Sequence, residues 1–160
     1  MAYDVNKDLV QGDDLFLYLF TASGITATTQ LNSGNTEVVA FATSCSLQVD
    51  GETIDTSNKM SCAWTSNLAG KNSYTVSADA LYTQKSGATS FDAILGYMVA
   101  RDSIGWAIGT HAGDCSGDFE IDKALVAGYG LITSLSLNAG NNEVASCSVS
   151  ITGSGELITA

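Results

Sequence analysis

The chain has 160 residues, which is enough for one domain with a hydrophobic core of its own. It carries 17 acidic and 6 basic residues, a formal net charge of −11, and this excludes a surface that grips nucleic-acid phosphates, because such a surface needs clustered Lys and Arg. No apolar run reaches the ~18 residues that span a membrane, and the start lacks a secretory signal, so we expect synthesis in the cytoplasm.

The first part of the chain predicts an arm, a strand and a loop. Residues 1–14 are mostly polar and predict an N-terminal arm that precedes a single β domain at residues 15–160. Leu15–Phe20 is a continuous apolar run of strand length, so we expect burial on both of its faces or a place at an interface. Residues 21–36 are rich in Thr, Ser, Asn and Gly without periodicity and predict an exposed loop.

Residues 37–50 and 71–82 alternate in polarity and predict two strands, each with one buried and one wet face. On the first strand, Phe41 and Val49 share the parity of Cys45 and are expected to point inward with it. The wet faces carry small hydroxyl and amide groups and few charges, an unusual composition for a surface strand. Their residues are Ser44, Ser46, Gln48 and Asp50 on the first strand and Ser73, Thr75, Ser77 and Asp79 on the second.

Between these strands, residues 51–70 predict a loop of about twenty residues, a length that is more often functional than idle. Exposed Trp and Met side chains in such a loop mark a contact with another chain. The alternative is that Trp64 folds back onto its own domain. The candidate contact residues are Asp55, Lys59, Met60, Trp64 and Leu68.

One helix follows a turn at residues 85–89. Ser90 is a suitable N-cap, and Asp92 and Arg101 at opposite ends favour the helix dipole. The apolar residues recur at helical spacing and predict a single buried stripe, formed by Phe91, Ile94, Leu95, Met98 and Val99.

The last third of the chain predicts strands only. A short strand at residues 104–109 contains Trp106, and a strand from residue 120 leads into a hairpin that turns at Gly140-Asn141-Asn142. Before the turn, Leu131, Leu135 and Leu137 oppose Ser134, Ser136 and Asn138. After it, Ala145, Cys147, Val149 and Ile151 oppose Ser146, Ser148, Ser150 and Thr152. A glycine break at residues 153–155 precedes a final short strand, for seven or eight strands in all.

No motif predicts catalysis or a cofactor. His111 is the only histidine, and the Ser in residues 113–117 lacks nucleophile-elbow spacing. We interpret His111 as a loop histidine beside a buried Cys115 thiol rather than as part of a catalytic Cys–His pair. The Gly128-Tyr129-Gly130 segment lacks the third glycine of a dinucleotide fingerprint and predicts a bulge instead.

The acidic and cysteine residues do not predict a metal site. The acids at positions 114, 118, 120 and 122 do not fit a calcium loop and more simply form the wet face of a strand. No two of the four cysteines have zinc-site spacing, and we expect free thiols. A bridge between Cys45 and Cys147 requires that their strands be neighbours.

The order of these segments resembles one known family. AFATSCSLQVDGETIDTSNK at 40–59 is followed by Trp64 and Gly70, YTVSADALY at 74–82, the FDAILGYMVAR helix and ITSLSLNAGNNEVASCSVSITGSGEL. Over residues 14–158 the chain resembles the major tail tube proteins of long-tailed bacteriophages, of the siphovirus type. Each motif alone is weakly specific, and their order and spacing carry the resemblance.

The resemblance implies a mainly β fold, a two-sheet antiparallel sandwich or partial barrel with one flanking helix. It implies hexameric rings that close a β-barrel and stack into the virion tail tube for genome ejection, with no cofactor and no membrane. Implied partners are further copies of the chain, the tape measure protein in the lumen, and the tail terminator and distal tail or baseplate proteins at the ends. DNA would pass without specific binding.

On this basis the eight wet-face residues named above are candidates to face the lumen, although Asp50 and Asp79 could equally lie at strand ends on an outer surface. The 51–70 loop would contact a neighbouring subunit or ring. A close alternative is the inner tube of a contractile injection or secretion system. A more distant one is a carbohydrate-binding β-sandwich, which needs a secretion route and an aromatic platform.

Overall fold

The computed structural model describes Val10 and residues 12–84, 89–111 and 120–159. Its seven strands are β1 Leu15–Phe20, β2 Glu37–Val38, β3 Ala42–Asp55, β4 Asn67–Leu81, β5 Ile104–His111, β6 Ile121–Asn138 and β7 Ser146–Thr159, and its helix is α1 Phe91–Ala100. Short 3-10 turns lie at Gly12–Asp14 and Thr28–Gln30. The predicted arm at residues 1–14 falls almost entirely outside the described residues. In the part of the chain that is described, no helix has the length and apolarity to cross a bilayer.

All seven strands belong to one antiparallel sheet in the order β2-β1-β5-β6-β7-β4-β3. The predicted second sheet does not form separately, because the 18-residue β6 pairs with β5 over residues 121–130 and with β7 over residues 126–138. The mainly β fold and its single helix agree with the prediction.

The sheet curls until the start of β3 lies against β1. The Val39 amide donates to the Leu17 carbonyl on β1 at 3.0 Å, and the Leu81 amide donates to the Phe41 carbonyl at 3.0 Å. Residues 39–41 therefore link one edge of the sheet to the other. Cys45 Sγ on β3 also lies 3.9 Å from the Leu15 carbonyl oxygen, so the result is a partial barrel.

The main core fills the inside of this curl. Trp106 of β5 is fully buried there, and its ring centroid lies 5.6 Å from that of Tyr74 on β4. Helix α1 contributes Ile94 to the same core. Apolar residues from β1, β5, β4 and β7 thus share one interior, which holds the curled sheet together through burial of apolar surface.

The first strand is buried on both faces, as predicted. Leu17 and Leu19 point into the main core, whereas Tyr18 and Phe20 join a second cluster on the other face of the sheet. The 21–36 loop covers this second cluster and is not simply exposed, because Leu31 is buried in it.

Tyr129 fastens the 21–36 loop to the sheet. Its hydroxyl accepts a hydrogen bond from the Ile25 amide at 3.0 Å and donates to the Ala22 carbonyl at 3.2 Å. The sequence of this segment did not predict these contacts, because they involve Tyr129, which is more than 100 positions away.

The helix has the predicted length, but its buried stripe is narrower than predicted. Leu95 and Val99 are exposed, and Tyr97 packs inward beside Ile94 and Met98. Ser90 does not cap the helix with its side chain; its hydroxyl donates to the Thr83 carbonyl at 3.0 Å. The helix contacts the core with one face only, and no described element covers its opposite face.

Two backbone irregularities contradict the predicted details of β6 and β7. A bulge between Ile132 and Ser134 reverses the side-chain parity of β6, so Ile132 is buried and Leu131 is exposed, contrary to the prediction. The glycines at 153–155 do not end a strand. β7 continues through them, with a register irregularity opposite residues 127–129 and φ of 89° at Gly155.

Two inward predictions on the β3 segment are also wrong. Phe41 is 57% exposed because its φ of 54° turns it out of the strand pattern, and Val49 is exposed because only β4 accompanies β3 at that level. Cys45 and Cys147 pair with Ala78 and Ala80 on opposite sides of β4. Their strands are not neighbours, so the two thiols cannot bridge.

Candidate functional site

Four consecutive strands form a wall whose outward surface is almost uniform. The wall consists of β3, β4, β7 and residues 131–138 of β6. In one transverse row, Asp79 pairs with Ser44 and with Ser148, which in turn pairs with Ser136. Leu81 and Leu131 pair with Ser146 and Thr152 on this surface and are its apolar members. We call its polar residues the hydroxyl face: Ser44, Ser46, Gln48, Asp50, Ser73, Thr75, Ser77, Asp79, Thr133, Ser134, Ser136, Asn138, Ser146, Ser148, Ser150 and Thr152.

The opposite surface of the wall is the main core. Val76, Val149 and Ile151 alternate with the hydroxyl-face residues of their strands and are buried. Side chains in a strand point alternately to its two faces. The hydroxyl face therefore points away from the core, to solvent in the isolated chain.

The structure brings together all eight wet-face residues that the sequence singled out. They form direct cross-strand pairs: Ser44 with Asp79, Ser46 with Ser77, Gln48 with Thr75, and Asp50 with Ser73. The residues of β6 and β7 extend the same face but were not named as site residues. Their serine alternation was the available signal, and only the strand order shows that it continues the same surface.

Asp79 is held by its hydroxyl neighbours. Ser148 Oγ donates to Oδ1 at 2.6 Å, and Ser44 Oγ donates to Oδ2 at 2.9 Å. These hydrogen bonds, from Ser148 first and Ser44 second, lower the pKa of the Asp79 carboxyl below its ordinary value. The residue therefore stays ionised on the hydroxyl face.

Asp50 is the second carboxylate of this face. Gln48 Nε2 donates to both of its carboxylate oxygens, at 3.1 and 3.0 Å. Asp50 pairs with Ser73, which lies along β4 from Asp79 by about 20 Å at the usual strand rise. The two charges thus occupy separate levels of an otherwise uncharged surface.

The wall is bounded on each side by a strand with one unpaired edge. Within the described residues, β3 pairs with β4 alone, and residues 131–138 of β6 pair with β7 alone. Because each neighbouring pair is antiparallel, the two edge strands run in opposite directions. Such unpaired edges invite pairing with another chain.

A two-stranded arm projects from one end of the wall. β4 pairs with β7 only from Thr75 to Leu81, and its earlier residues pair with β3 alone. We call residues 51–72 the hairpin arm. The predicted twenty-residue loop is shorter in the structure, since strands occupy 51–55 and 67–70 and leave residues 56–66. Asp55 and Leu68 consequently lie on the strands of the arm, where Leu68 pairs with Ile54.

Hydrogen bonds fix the loop of the arm. The Thr56 amide donates to the Ser66 carbonyl at 2.8 Å, and the Met60 amide donates to Asn58 Oδ1 at 2.8 Å. Asp55 Oδ1 accepts from the Ser57 amide at 2.8 Å. Hydrogen bonds from the Ser57 side chain and then its backbone lower the pKa of Asp55. These hydrogen bonds hold the loop in one shape, although every residue from 56 to 66 except Ser61 is exposed.

This loop displays apolar side chains to solvent. Met60 is 90% exposed and Trp64 is 84% exposed, so Trp64 does not fold back onto its own domain. Lys59 is exposed beside Met60 and forms no ion pair with a described residue. A lone two-stranded hairpin is marginally stable, and exposed aromatic and Met side chains are typical of protein interfaces.

The described residues offer no catalytic arrangement. His111 lies at the end of β5, where its ring meets that of Phe16 edge to face at 5.2 Å. No three His, Cys, Asp or Glu residues converge on a metal position in the ranges that the structure covers. Cys115, Asp114 and Asp118 lie outside them, and Glu120 and Asp122 remain at the start of β6.

The chain matches one protein-family model and several solved structures. The model, described as phage tail tube protein, matches residues 9–159. The tail of an empty gene transfer agent particle, refined with C6 symmetry, is 20% identical with a TM-score of 0.68, covering 95% of this chain and 99% of that one. No curated protein matches.

Two further structures have the same fold. The SPP1 tail tube is 12% identical with a TM-score of 0.68, over 95% of this chain and 80% of that chain. A sheath-tube complex of an extracellular contractile injection system, PVC, is 10% identical with a TM-score of 0.57, over 99% of this chain and 100% of the other.

Proposed function

Because this chain belongs to the phage tail tube protein family, and is thus a structural component of a virion tail, we propose that six copies close into a ring and that rings stack into the tube. The single observation that carries this proposal is the four-strand wall with its two free, oppositely directed edges. The C6 symmetry of the similar gene transfer agent tail supports the choice of six copies.

Ring closure follows from the direction of the edge strands. The β3 edge of one copy lies beside the β6 edge of the next, and the pair is antiparallel, like every other pair in the wall. Four strands from each of six copies form one continuous barrel without edges. At ordinary strand spacing and tilt, such a barrel has a backbone diameter of roughly 45–50 Å.

The hydroxyl face lines the lumen in this arrangement, because the core occupies the other side of the wall. Its only charges are Asp50 and Asp79, which become two collars of carboxylates. With no Lys or Arg on the face, DNA phosphates find no ion-pair partner. The lumen thus holds the tape measure protein first and later lets DNA pass without specific binding, for ejection into the host.

The hairpin arm supplies contacts between subunits or between rings. Its candidate residues lie beyond the part of β4 that pairs with β7, and they are Asp55, Lys59, Met60, Trp64 and Leu68. The last rings at each end of the tube present the same surfaces to the tail terminator and to distal tail or baseplate proteins.

A contractile injection tube is the second candidate. The likeness to the PVC sheath-tube complex favours it, but the TM-score of 0.57 is below the 0.68 of the gene transfer agent and SPP1 tubes. Coexpression with a sheath protein separates the two, since only the injection-system tube recruits one. The carbohydrate-binding alternative loses its support, since the chain belongs to a structural family.

The assembly test is negative-stain electron microscopy of the purified chain at rising concentration, with sedimentation in parallel. We expect six-membered rings and hollow tubes of uniform width. A compact 16.5 kDa monomer at every concentration, also when the terminator and tape measure proteins are added, would contradict the proposal.

Lumen orientation has its own test. In a background in which the exposed Cys62 and also Cys115 are replaced by Ser, cysteine is introduced at Ser77 on the hydroxyl face or, as the matched control, at exposed Ser23 in the 21–36 loop. In long tubes a maleimide coupled to a bulky particle should label the Ser23→Cys variant and not the Ser77→Cys variant, while both react as dissociated subunits. Equal labelling of the two positions in tubes would place the hydroxyl face outside.

A further inference from the structure

We propose that a cavity beside Glu37 binds a primary alkylammonium group. The cavity has a volume of about 230 Å³ and lies where the end of β1 and the start of β5 meet the 21–36 loop and helix α1. No residue of the hydroxyl face or of the hairpin arm lines it. Two sources supply such a group, a free amine and the lysine side chain of a neighbouring copy.

The floor of the cavity is apolar. Leu19 of β1 and Ile104 of β5 line it, and both are buried side chains of the main core. Because Glu37 of β2 pairs directly with Leu19, the two side chains lie on the same face of the sheet. The cavity thus places a carboxylate at the edge of an apolar floor, which suits a chain of methylene groups that ends in a charge.

The Glu37 carboxylate is positioned but not saturated. Its Oε2 accepts a hydrogen bond of 2.7 Å from Oγ1 of Thr89, a buried residue. A carboxylate has acceptor sites for several donors, so this contact fixes the group and leaves Oε1 available. Among the residues that the structure describes, Glu37 is the only charged one that lines the cavity. Its charge is therefore open to a cationic ligand.

The rim of the cavity has few free backbone donors. The amides of Asn35 and Thr36 both donate to the Asn32 carbonyl at 3.1 Å, and the Gly34 amide donates to Asn32 Oδ1 at 2.9 Å. The Thr36 hydroxyl donates to the same carbonyl at 2.8 Å. An anion would need free N–H groups of this kind. An ammonium group carries three donors and no acceptor, so it complements a rim whose donors are already bonded.

Tyr97 of helix α1 supplies an aromatic wall. Its ring lines the cavity and packs against the main core, so packing fixes its position. A cation within about 6 Å of an aromatic ring is attracted to the face of that ring. The net charge of −11 also draws cations to the chain. Carboxylate, aromatic ring and apolar floor together match the head and the stem of an alkylammonium group.

The test is a titration of isotope-labelled, dispersed subunits with n-butylammonium, followed by NMR at physiological ionic strength, which screens long-range attraction. We expect saturable chemical-shift changes at the amides that surround the cavity, including those of Gly34, Thr36 and Tyr97. Uncharged n-butanol should bind at least about tenfold more weakly, because it forms no ion pair with Glu37.

Glu37→Gln is the decisive variant, since it keeps an acceptor for Thr89 and removes the charge. It should weaken butylammonium binding by about tenfold or more. Glu156→Gln removes an exposed acid of β7 that does not line the cavity, and it should bind as the wild type does. Absence of saturable shifts in the wild type, or equal affinity of wild type and Glu37→Gln, would overturn the proposal.

Assembled tubes distinguish the two sources, with saturation-transfer difference NMR as the measurement. Tubes that bind butylammonium as subunits do would identify a free amine as the ligand. Tubes that bind it at least about tenfold more weakly, with recovery on dissociation, would identify a lysine of a neighbouring copy. The subunit titration does not depend on assembly, so a chain that never forms rings would refute the proposed function alone.

Discussion

Ser148 Oγ on β7 donates a 2.6 Å hydrogen bond to Asp79 Oδ1 on β4. This contact joins two neighbouring strands of the wall through their outward side chains, and it holds a carboxylate at a defined level of the hydroxyl face. A second donor, Ser44, reaches the same carboxylate from β3. Three of the four strands are thus coupled through one acid.

Replacing Ser148 by Ala should raise the pKa of Asp79 toward its ordinary value of 3.8, because the largest cause of its lowered pKa is removed. In the wild type, ionised Asp79 contributes stability that is present above the unfolded pKa and is lost as pH falls through the lower folded pKa. In Ser148→Ala the contribution should be smaller, and its loss should be complete at a higher pH, because the folded pKa lies closer to the unfolded one. Carbon NMR titration of the Asp79 carboxyl measures the shift.

Ser150→Ala is the control for this prediction, since Ser150 occupies the neighbouring row and pairs with Ser77 rather than with an acid. An unchanged Asp79 pKa in Ser148→Ala, or an equal change in Ser150→Ala, would show that the hydrogen bond does not set the ionisation.

Gly153→Ala should destabilise the chain by about 1–3 kcal/mol. A methyl group at this position would overlap the ring of Tyr74, which is buried and cannot move aside freely. Gly96→Ala is the matched control, because no atom lies within 4 Å of its added Cβ, and Ala in a helix should add up to about 1 kcal/mol. Urea unfolding of both variants gives the free energies, and equal stability of the two would contradict the close packing.

Tyr74→Phe should cost about 0.5–1.5 kcal/mol, because the Tyr74 hydroxyl donates to the Tyr129 carbonyl at 2.8 Å in a partly buried position. Tyr82→Phe removes a hydroxyl that meets Asp92 at 3.2 Å in an exposed position, and it should change the free energy of unfolding by less than about 0.5 kcal/mol. Chemical denaturation tests both, and a cost for Tyr82→Phe as large as that for Tyr74→Phe would argue against this ranking.

The cysteines should differ in reactivity. Cys62 is exposed in the arm, whereas burial raises the pKa of both the Cys45 and Cys147 thiols. In dispersed subunits we expect Cys62 to be alkylated roughly tenfold faster or more than Cys45 and Cys147, since the thiolate is the reactive form. Peptide mapping by mass spectrometry reads out each site, and Cys62 should become protected when tubes form. Persistent fast labelling of Cys62 in tubes would show that the arm stays free.

Alternating polarity was enough to identify which residues share a face of β3, β4 and β7, because successive strand side chains point to opposite sides whatever the partner. The same local reasoning located α1, since one turn of helix repeats in fewer than four residues. The order of the segments, rather than their periodicity, resembled the tail tube family, and the family model that matches residues 9–159 confirms this.

Local pattern did not reveal where a strand gains or loses its partner. The bulge beside Ile132, the exposure of Val49 and the continuation of β7 past Gly155 depend on pairing between distant segments. The burial of the 21–36 loop likewise depends on Tyr129.

The composition and periodicity of the chain thus determined its β class, its hydroxyl-bearing strands and the apolar character of the 51–70 segment. Only the tertiary structure decided that four strands join their polar faces into one wall and that Phe41 and Trp64 lie at opposite ends of it. The reason is physical: side-chain direction is a property of each residue's own backbone, whereas strand order and exposure arise from contacts between residues far apart in sequence.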